Sequence, residues 1–186
     1  MDIKKLFVKK RVSDYVLFSG IIVVGIILDQ LTKWLAVKHL KPLYPNAVPF
    51  IDGIIRLKYE QNTGAAFSML SDAPWVFKSV STVAIIAMLI YLFGFKGGRK
   101  LQDVALAMII SGGIGNMIDR IALNYVVDFL DFCFMDFAVF NGADSFVCVG
   151  AGLLILSLIL DMRDEVLQEK AAKSGLSNDV SEDGEE

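Results

Sequence analysis

Residues 15–35 read Tyr15-Val-Leu-Phe-Ser-Gly20-Ile-Ile-Val-Val-Gly25-Ile-Ile-Leu-Asp29-Gln-Leu-Thr-Lys33-Trp-Leu35. A bilayer core takes about 20 consecutive apolar residues in a helix, and this run has that length. Within it, Asp29, Thr32 and Lys33 are spaced i, i+3, i+4, which puts them on one helical face. Lys4, Lys5, Lys9, Lys10 and Arg11 precede the run, as in a secretory signal. No small-residue cleavage site follows, so the helix is expected to be retained.

Three further apolar blocks follow, at about 74–95, 101–123 and 143–162. The chain has 186 residues, 55% of them hydrophobic and 21% charged, against about 45–50% and about 25% in a soluble domain. The excess is concentrated in the four blocks, leaving too little chain elsewhere for a separate soluble core. The expected architecture is an all-α membrane core of four transmembrane helices. Residues 1–14 form a basic arm, 15–162 the membrane domain and 163–186 an acidic tail, expected to be disordered at its end, from Lys173 onward.

Basic residues orient such a bundle. The N-terminal arm, the link with Lys96, Arg99 and Lys100, and the tail with Arg163, Lys170 and Lys173 share one side if all four blocks span. On the opposite side the loop from Ala36 to Ala73 has Lys38, Lys41, Arg56 and Lys58, and the loop from Asn124 to Gly142 has no Lys or Arg. Both termini are therefore expected in the cytoplasm, with loops 36–73 and 124–142 facing outward. Ile55-Arg-Leu-Lys-Tyr-Glu60 alternates as a half-buried strand does. Val126 to Phe140, rich in β-branched and aromatic residues, suits a second strand or an interfacial segment. A small sheet on the outer surface is expected.

Ionisable groups inside a membrane are costly and point to function. Asn116, Asp119 and Arg120 repeat the i, i+3, i+4 spacing in the third block. Asp128 lies just beyond it, and Asn141 and Asp144 open the fourth. In this orientation, polar groups from three helices converge near the outer interface. Plainer assignments stand beside this one: a structural ion pair for Asp119 with Arg120, an i, i+4 pair for Asp29 with Lys33, and solvated loop carboxylates for Asp131 and Asp136. Gly112, Gly113 and Gly115 suit close helix packing. Asp128 and Asp144 are flanked by apolar residues. Two carboxylates brought together cannot both ionise cheaply, so one holds a proton while the other acts as a base. Such a pair can hydrolyse an amide with water alone. Cys133, Cys148 and the single His39 form no metal or nucleophile pattern, so neither metal nor cofactor is expected.

Five stretches, in this order, resemble lipoprotein signal peptidase, or signal peptidase II: Asp29-Gln-Leu-Thr-Lys33, Asn62-Thr-Gly-Ala-Ala-Phe67, Gly112-Gly-Ile-Gly-Asn-Met-Ile-Asp-Arg120, Val126-Val-Asp-Phe129 and Phe140-Asn-Gly-Ala-Asp144. The resemblance implies four membrane helices, an extracytoplasmic β-sheet cradle and a short amphipathic outer helix in a bacterial cytoplasmic membrane. It implies removal of the signal peptide from diacylglyceryl-modified prolipoproteins, immediately before the lipidated cysteine. By the same resemblance Asp128 and Asp144 are the catalytic pair, and Asp29, Lys33, Asn62, Gly64, Asn116, Arg120, Asn141 and Ala143 shape the site and bind substrate. Ser111, in place of a frequent glycine, and Gly142, in place of a bulkier aliphatic residue, depart from the pattern. The expected partners are prolipoproteins and membrane lipid, with no nucleic acid, and the expected state is a monomer. A small proton-coupled transporter or channel, or a structural membrane subunit, are the alternatives. Transporters commonly carry internal repeats and midplane sites, and neither is apparent here.

Overall fold

The computed structural model describes residues 10–64, 74–95 and 99–182. Its elements are helix α1 (Val12–His39), a 3-10 turn (Lys41–Leu43), strands β1 (Ala47–Ile51) and β2 (Ile55–Asn62), helices α2 (Pro74–Gly94) and α3 (Lys100–Ala122), strand β3 (Val126–Phe132) and helix α4 (Gly142–Glu182). Helix α1 outruns the expected 15–35 at both ends. Helix α4 continues well past Met162, because Arg163–Ala171 consists mainly of strong helix formers. The tail from Lys173 onward, where disorder is expected, is helical as far as Glu182, and residues 183–186 lie outside the described residues.

Among the described residues, three helices are long and apolar enough to cross a membrane: Val12–Leu43 taken with its 3-10 turn, Lys100–Ala122 and Gly142–Ala171. Within α2, Lys78–Gly94 is a shorter apolar helix. Helix α3 is the hub, packing against α1, α2 and α4. Phe18, Ile22, Leu92, Leu106, Ala107 and Ile110 form the inner apolar core. Outside it, Val16, Val23, Val24 and Ile27 of α1 and Ile155, Leu158 and Ile159 of α4 are exposed. A soluble fold would bury such a surface; a membrane protein turns it to lipid.

Helices α3 and α4 approach closely at Gly112, where a Cβ would lie 2.3 Å from the Ala143 carbonyl oxygen. Ser111, one of the departures from the family pattern, is buried and donates to the Ile22 carbonyl at 3.1 Å. At the far end of the bundle, Lys10 is buried against Asp103 at 2.9 Å and donates to the Leu92 carbonyl at 2.7 Å. Arg99 ties the start of α3 to Asp161 and Asp164 of α4.

The three strands form one antiparallel sheet in the order β1-β2-β3. Strand β1 has no place in the sequence reading, because Pro49 argues against a strand. It is an edge strand, where a missing N–H is tolerated. Leu57 faces Leu130 and Glu60 faces Asp128, so β2 carries an extra residue between them. This bulge shifts the register so that Asp128 lies opposite Glu60. The sheet rests on the end of α1, where Ala36, Leu40, Tyr59, Val127 and Phe129 form a second apolar cluster. Asn124, at φ 65°, turns the chain from α3 into β3. Asp131, expected as a solvated carboxylate, is instead buried in β3 and held by Arg56 at 2.6 Å. Asp136 is exposed. The outer helix implied by the resemblance is not among the described elements, and residues 65–73 lie outside them.

Candidate active site

The site is assembled where α4 begins. Asn141 caps this helix: its Oδ1 accepts from the Asp144 backbone N–H at 2.9 Å, and Asp144 Oδ2 accepts from the Asn141 N–H at 3.2 Å. The reciprocal pair is a capping box, and it places the Asp144 carboxylate within the first turn. A third amide of that turn, Ala143 N–H, donates to Asp29 Oδ1 on α1 at 3.0 Å. Helix N-termini favour nearby negative charge, and α4 gathers one carboxylate from its own chain segment and another from α1.

Asn141 also joins this turn to β3. Its Nδ2 lies 2.6 Å from Asp128 Oδ1, 3.0 Å from Asn116 Oδ1 and 3.3 Å from the Val127 carbonyl. Asn116 Nδ2 donates to Asp144 Oδ1 at 2.8 Å. Asp128 and Asp144 thus stand on either side of one fully buried asparagine, close enough for the charge of Asp144 to act on Asp128. Asp128 is buried, and its Oδ2 has no hydrogen-bond partner among the described residues. Burial pushes its carboxyl up to about 6 from the ordinary 3.8, and the charge of Asp144 acts in the same direction. Hydrogen bonds from Asn62 and Asn141 and the charge of Lys33 pull it part of the way back.

Beneath the pair lies a lysine-centred support. Lys33 Nζ, buried in α1, contacts Asp29 Oδ2 at 2.8 Å, Asn116 Oδ1 at 2.8 Å and Asp119 Oδ2 at 3.2 Å. Asp29 and Lys33 do form the i, i+4 pair that the plainer reading foresees, and the same pair also holds the site. Asp119 pairs with Lys33, and its Oδ2 accepts the Val127 N–H at 3.0 Å, which anchors the start of β3. Arg120 lies within electrostatic reach of Asp144, Asp128 and Asp119.

The residues named in sequence come together unevenly. Asp29, Lys33, Asn116, Asp128, Asn141, Ala143 and Asp144 form one hydrogen-bonded network. Asn62 reaches it through Asp128. Gly64 stands one step further out: at φ 91° it donates its N–H to Asn62 Oδ1 at 2.8 Å, orienting that amide. Ala65, Ala66 and Phe67 of the same motif lie outside the described residues. Sequence reasoning passes over Gln30, whose Nε2 bridges Asp29 Oδ2, the Gly115 carbonyl and Asp119 Oδ1 at 3.1–3.2 Å. An amide beside an acid in an apolar helix is the signal for it. Gly115 matters for space, since a Cβ there would lie 2.5 Å from Asp29 Oδ2.

The arrangement sets a buried carboxyl on β3, with its pKa raised to about 6, beside a carboxylate at the start of α4 that accepts two donors. This suits moving a proton to and from a carbonyl and a water. Comparison with known proteins agrees with a peptidase. The model of the family described as signal peptidase (SPase) II matches residues 21–160. A lipoprotein signal peptidase of Streptococcus pyogenes serotype M2 (strain MGAS10270) is 44% identical over 142 residues, covering 76% of this chain and 92% of that protein. The counterpart from serotype M6 (strain ATCC BAA-946 / MGAS10394) is 43% identical over the same length. Two solved bacterial membrane enzyme structures superpose with TM-scores of 0.71 and 0.69, each at 30% identity. They cover 84% and 82% of this chain, and 93% and 97% of theirs.

Proposed function

The chain belongs to the signal peptidase II family, and from that premise we propose that it cleaves the signal peptide from diacylglyceryl-modified prolipoproteins, using Asp128 and Asp144 as an aspartic dyad. The observation that carries this reading is the pair of carboxylates on either side of Asn141, one of them with its pKa raised to about 6.

In the proposed reaction the dyad holds one proton, on Asp128. Asp144, held by the Asn116 amide and the Asn141 N–H, takes a proton from water, and the resulting hydroxide attacks the scissile carbonyl carbon. Asp128 gives its proton to the carbonyl oxygen, producing a tetrahedral diol. Asp144 then protonates the amide nitrogen as the diol returns a proton to Asp128, and the C–N bond breaks. The products are the signal peptide's carboxylate and the amine of the lipidated cysteine. General acid–base groups of this kind contribute about 10²–10⁴-fold. Asn62, Gly64, Arg120 and the Lys33 cluster hold the dyad and the substrate backbone in place.

We read α2 as a fourth spanning helix, with both termini in the cytoplasm and the sheet on the outer face of the bacterial cytoplasmic membrane. A lipid-anchored cysteine then keeps the scissile bond at the depth of the dyad. Confining enzyme and substrate to one membrane supplies much of the orientation that catalysis needs. We take the working unit to be a monomer, because a single chain contributes every group named.

The test compares one prolipoprotein with and without its diacylglyceryl group, incubated with the purified protein in lipid. The lipidated form is expected to be cut, and mass spectrometry to find the lipidated cysteine at the new N-terminus. Equal cutting of the unlipidated form, or a cut elsewhere, would overturn the substrate assignment.

A further inference from the structure

The end of the sheet farthest from the α3–β3 turn carries large apolar side chains that stand exposed among the described residues. Phe50, Ile51 and Ile54 at the β1–β2 turn, and Phe134, Met135 and Phe137 after β3, are 44–63% exposed. The two groups share one tip: Ile55 pairs with Phe132, and the Cys133 N–H donates to the Ile54 carbonyl at 2.9 Å. Phe132 contacts the rings of Phe134 and Phe137 at centroid distances of 5.3 and 5.8 Å, so the tip is a built aromatic cluster.

We propose that this tip is a lipid anchor, inserted at the headgroup–acyl boundary of the leaflet next to the active site. The sheet is fastened to the end of α1 through Ala36 and Leu40. On that same end Trp34 is exposed and Lys38 Nζ lies 4.8 Å over its ring. An aromatic ring under a snorkelling lysine marks an interface level, which puts the sheet within reach of lipid. Contiguous apolar patches of this kind are rarely left to water. The loop from Asn124 to Gly142 has no Lys or Arg, and Arg56 at the sheet end is taken up by Asp131. Asp52 and Asp136, both exposed at the tip, restrict it to the boundary and give it no preference for anionic lipid. Such an anchor fixes the height of β3, and with it Asp128, relative to the membrane. The inference rests on reading the helices as membrane spans and is independent of the peptidase chemistry.

The experiment places a nitroxide on the native Cys133, which is exposed, in a Cys148→Ala chain reconstituted in phosphatidylcholine nanodiscs without substrate. A second label sits at Phe50→Cys in a chain with Cys133→Ser and Cys148→Ala. Collision rates with oxygen, which concentrates in lipid, are compared with those for a water-soluble nickel chelate. Both labels are expected to favour oxygen over nickel, and adding anionic lipid is expected to leave the ratio unchanged. Dominant collision with nickel at both positions would overturn the proposal. So would labels shielded from nickel only after prolipoprotein is added, which would reassign the tip to substrate. Cleavage activity does not enter the readout, so failure of the proposed function and failure of the anchor are separable.

Discussion

At the scale of single residues, burial holds Asp128 in a condition that costs stability once its carboxyl ionises. Its folded-state pKa, about 6, lies above the ordinary 3.8, so the folded chain binds that proton more tightly than the unfolded one. Its contribution to stability therefore declines as pH rises from 3.8 through about 6, and ionised Asp128 is a liability at neutral pH. Asp128→Asn keeps the shape and removes the charge. The variant is expected to lose cleavage by about 10²–10⁴-fold while its thermal stability at pH 7 rises, by at most about 3 kcal/mol. At pH 4 the gain should vanish, and melting curves at the two pH values check the sign. In wild type, kcat/KM is expected to fall on the alkaline side of about pH 6, as the free enzyme loses the Asp128 proton. Asn141→Ala removes the amide between the two acids and the cap of α4. A loss of at least about 2 kcal/mol together with activity is expected, measured by denaturation and turnover on the same preparation.

At the scale of elements, glycines decide how closely the helices approach. A Cβ at Gly112 would meet the Ala143 carbonyl oxygen at 2.3 Å, whereas at Gly142 its nearest neighbour is Thr32 Oγ1 at 3.6 Å. Gly112→Ala is therefore expected to push α4 off α3 and destabilise by about 1–3 kcal/mol. Gly142→Ala is expected to be neutral or slightly stabilising, since alanine suits a first helical turn better. Thermal melts of the two variants side by side separate the cases. The helices were legible because uninterrupted apolar runs report directly on a lipid environment. Strand β2 was legible from its alternation. Strand β1 was not, because Pro49 is tolerated only through an edge position that the order of strands creates. The burial of Asp131 was equally hidden, since it depends on pairing with Arg56 across the sheet. In the candidate site, the spacing of Asp29 with Lys33 and of Asn116 with Asp119 announced shared faces. Sequence offered no sign that Lys33 would bridge Asp29 to Asp119, because that contact follows from how α1 and α3 pack.

At the scale of the molecule, two polar assemblies sit at opposite ends of one apolar bundle. Lys10, Asp103, Arg99, Asp161 and Asp164 tie one end, and the dyad with its Lys33 support occupies the other. Under the positive-inside rule, the topology we propose puts the first end in the cytoplasm. Cysteines introduced at Asn46 and at Arg163, each in a chain lacking Cys133 and Cys148, report on this in intact cells. A membrane-impermeant thiol reagent is expected to label Asn46→Cys directly and Arg163→Cys only after permeabilisation. Labelling in the reverse order would invert the proposed topology.

The measurement that tests the central claim most directly is cleavage of a diacylglyceryl-modified prolipoprotein by purified wild type, Asp128→Asn and Asp144→Asn, followed by mobility shift on a gel, with and without chelator. The account predicts cutting by wild type that chelator leaves unchanged and that each substitution abolishes. Wild type inert on a well-presented substrate, or both variants still cutting, would contradict the aspartate pair as the catalytic centre.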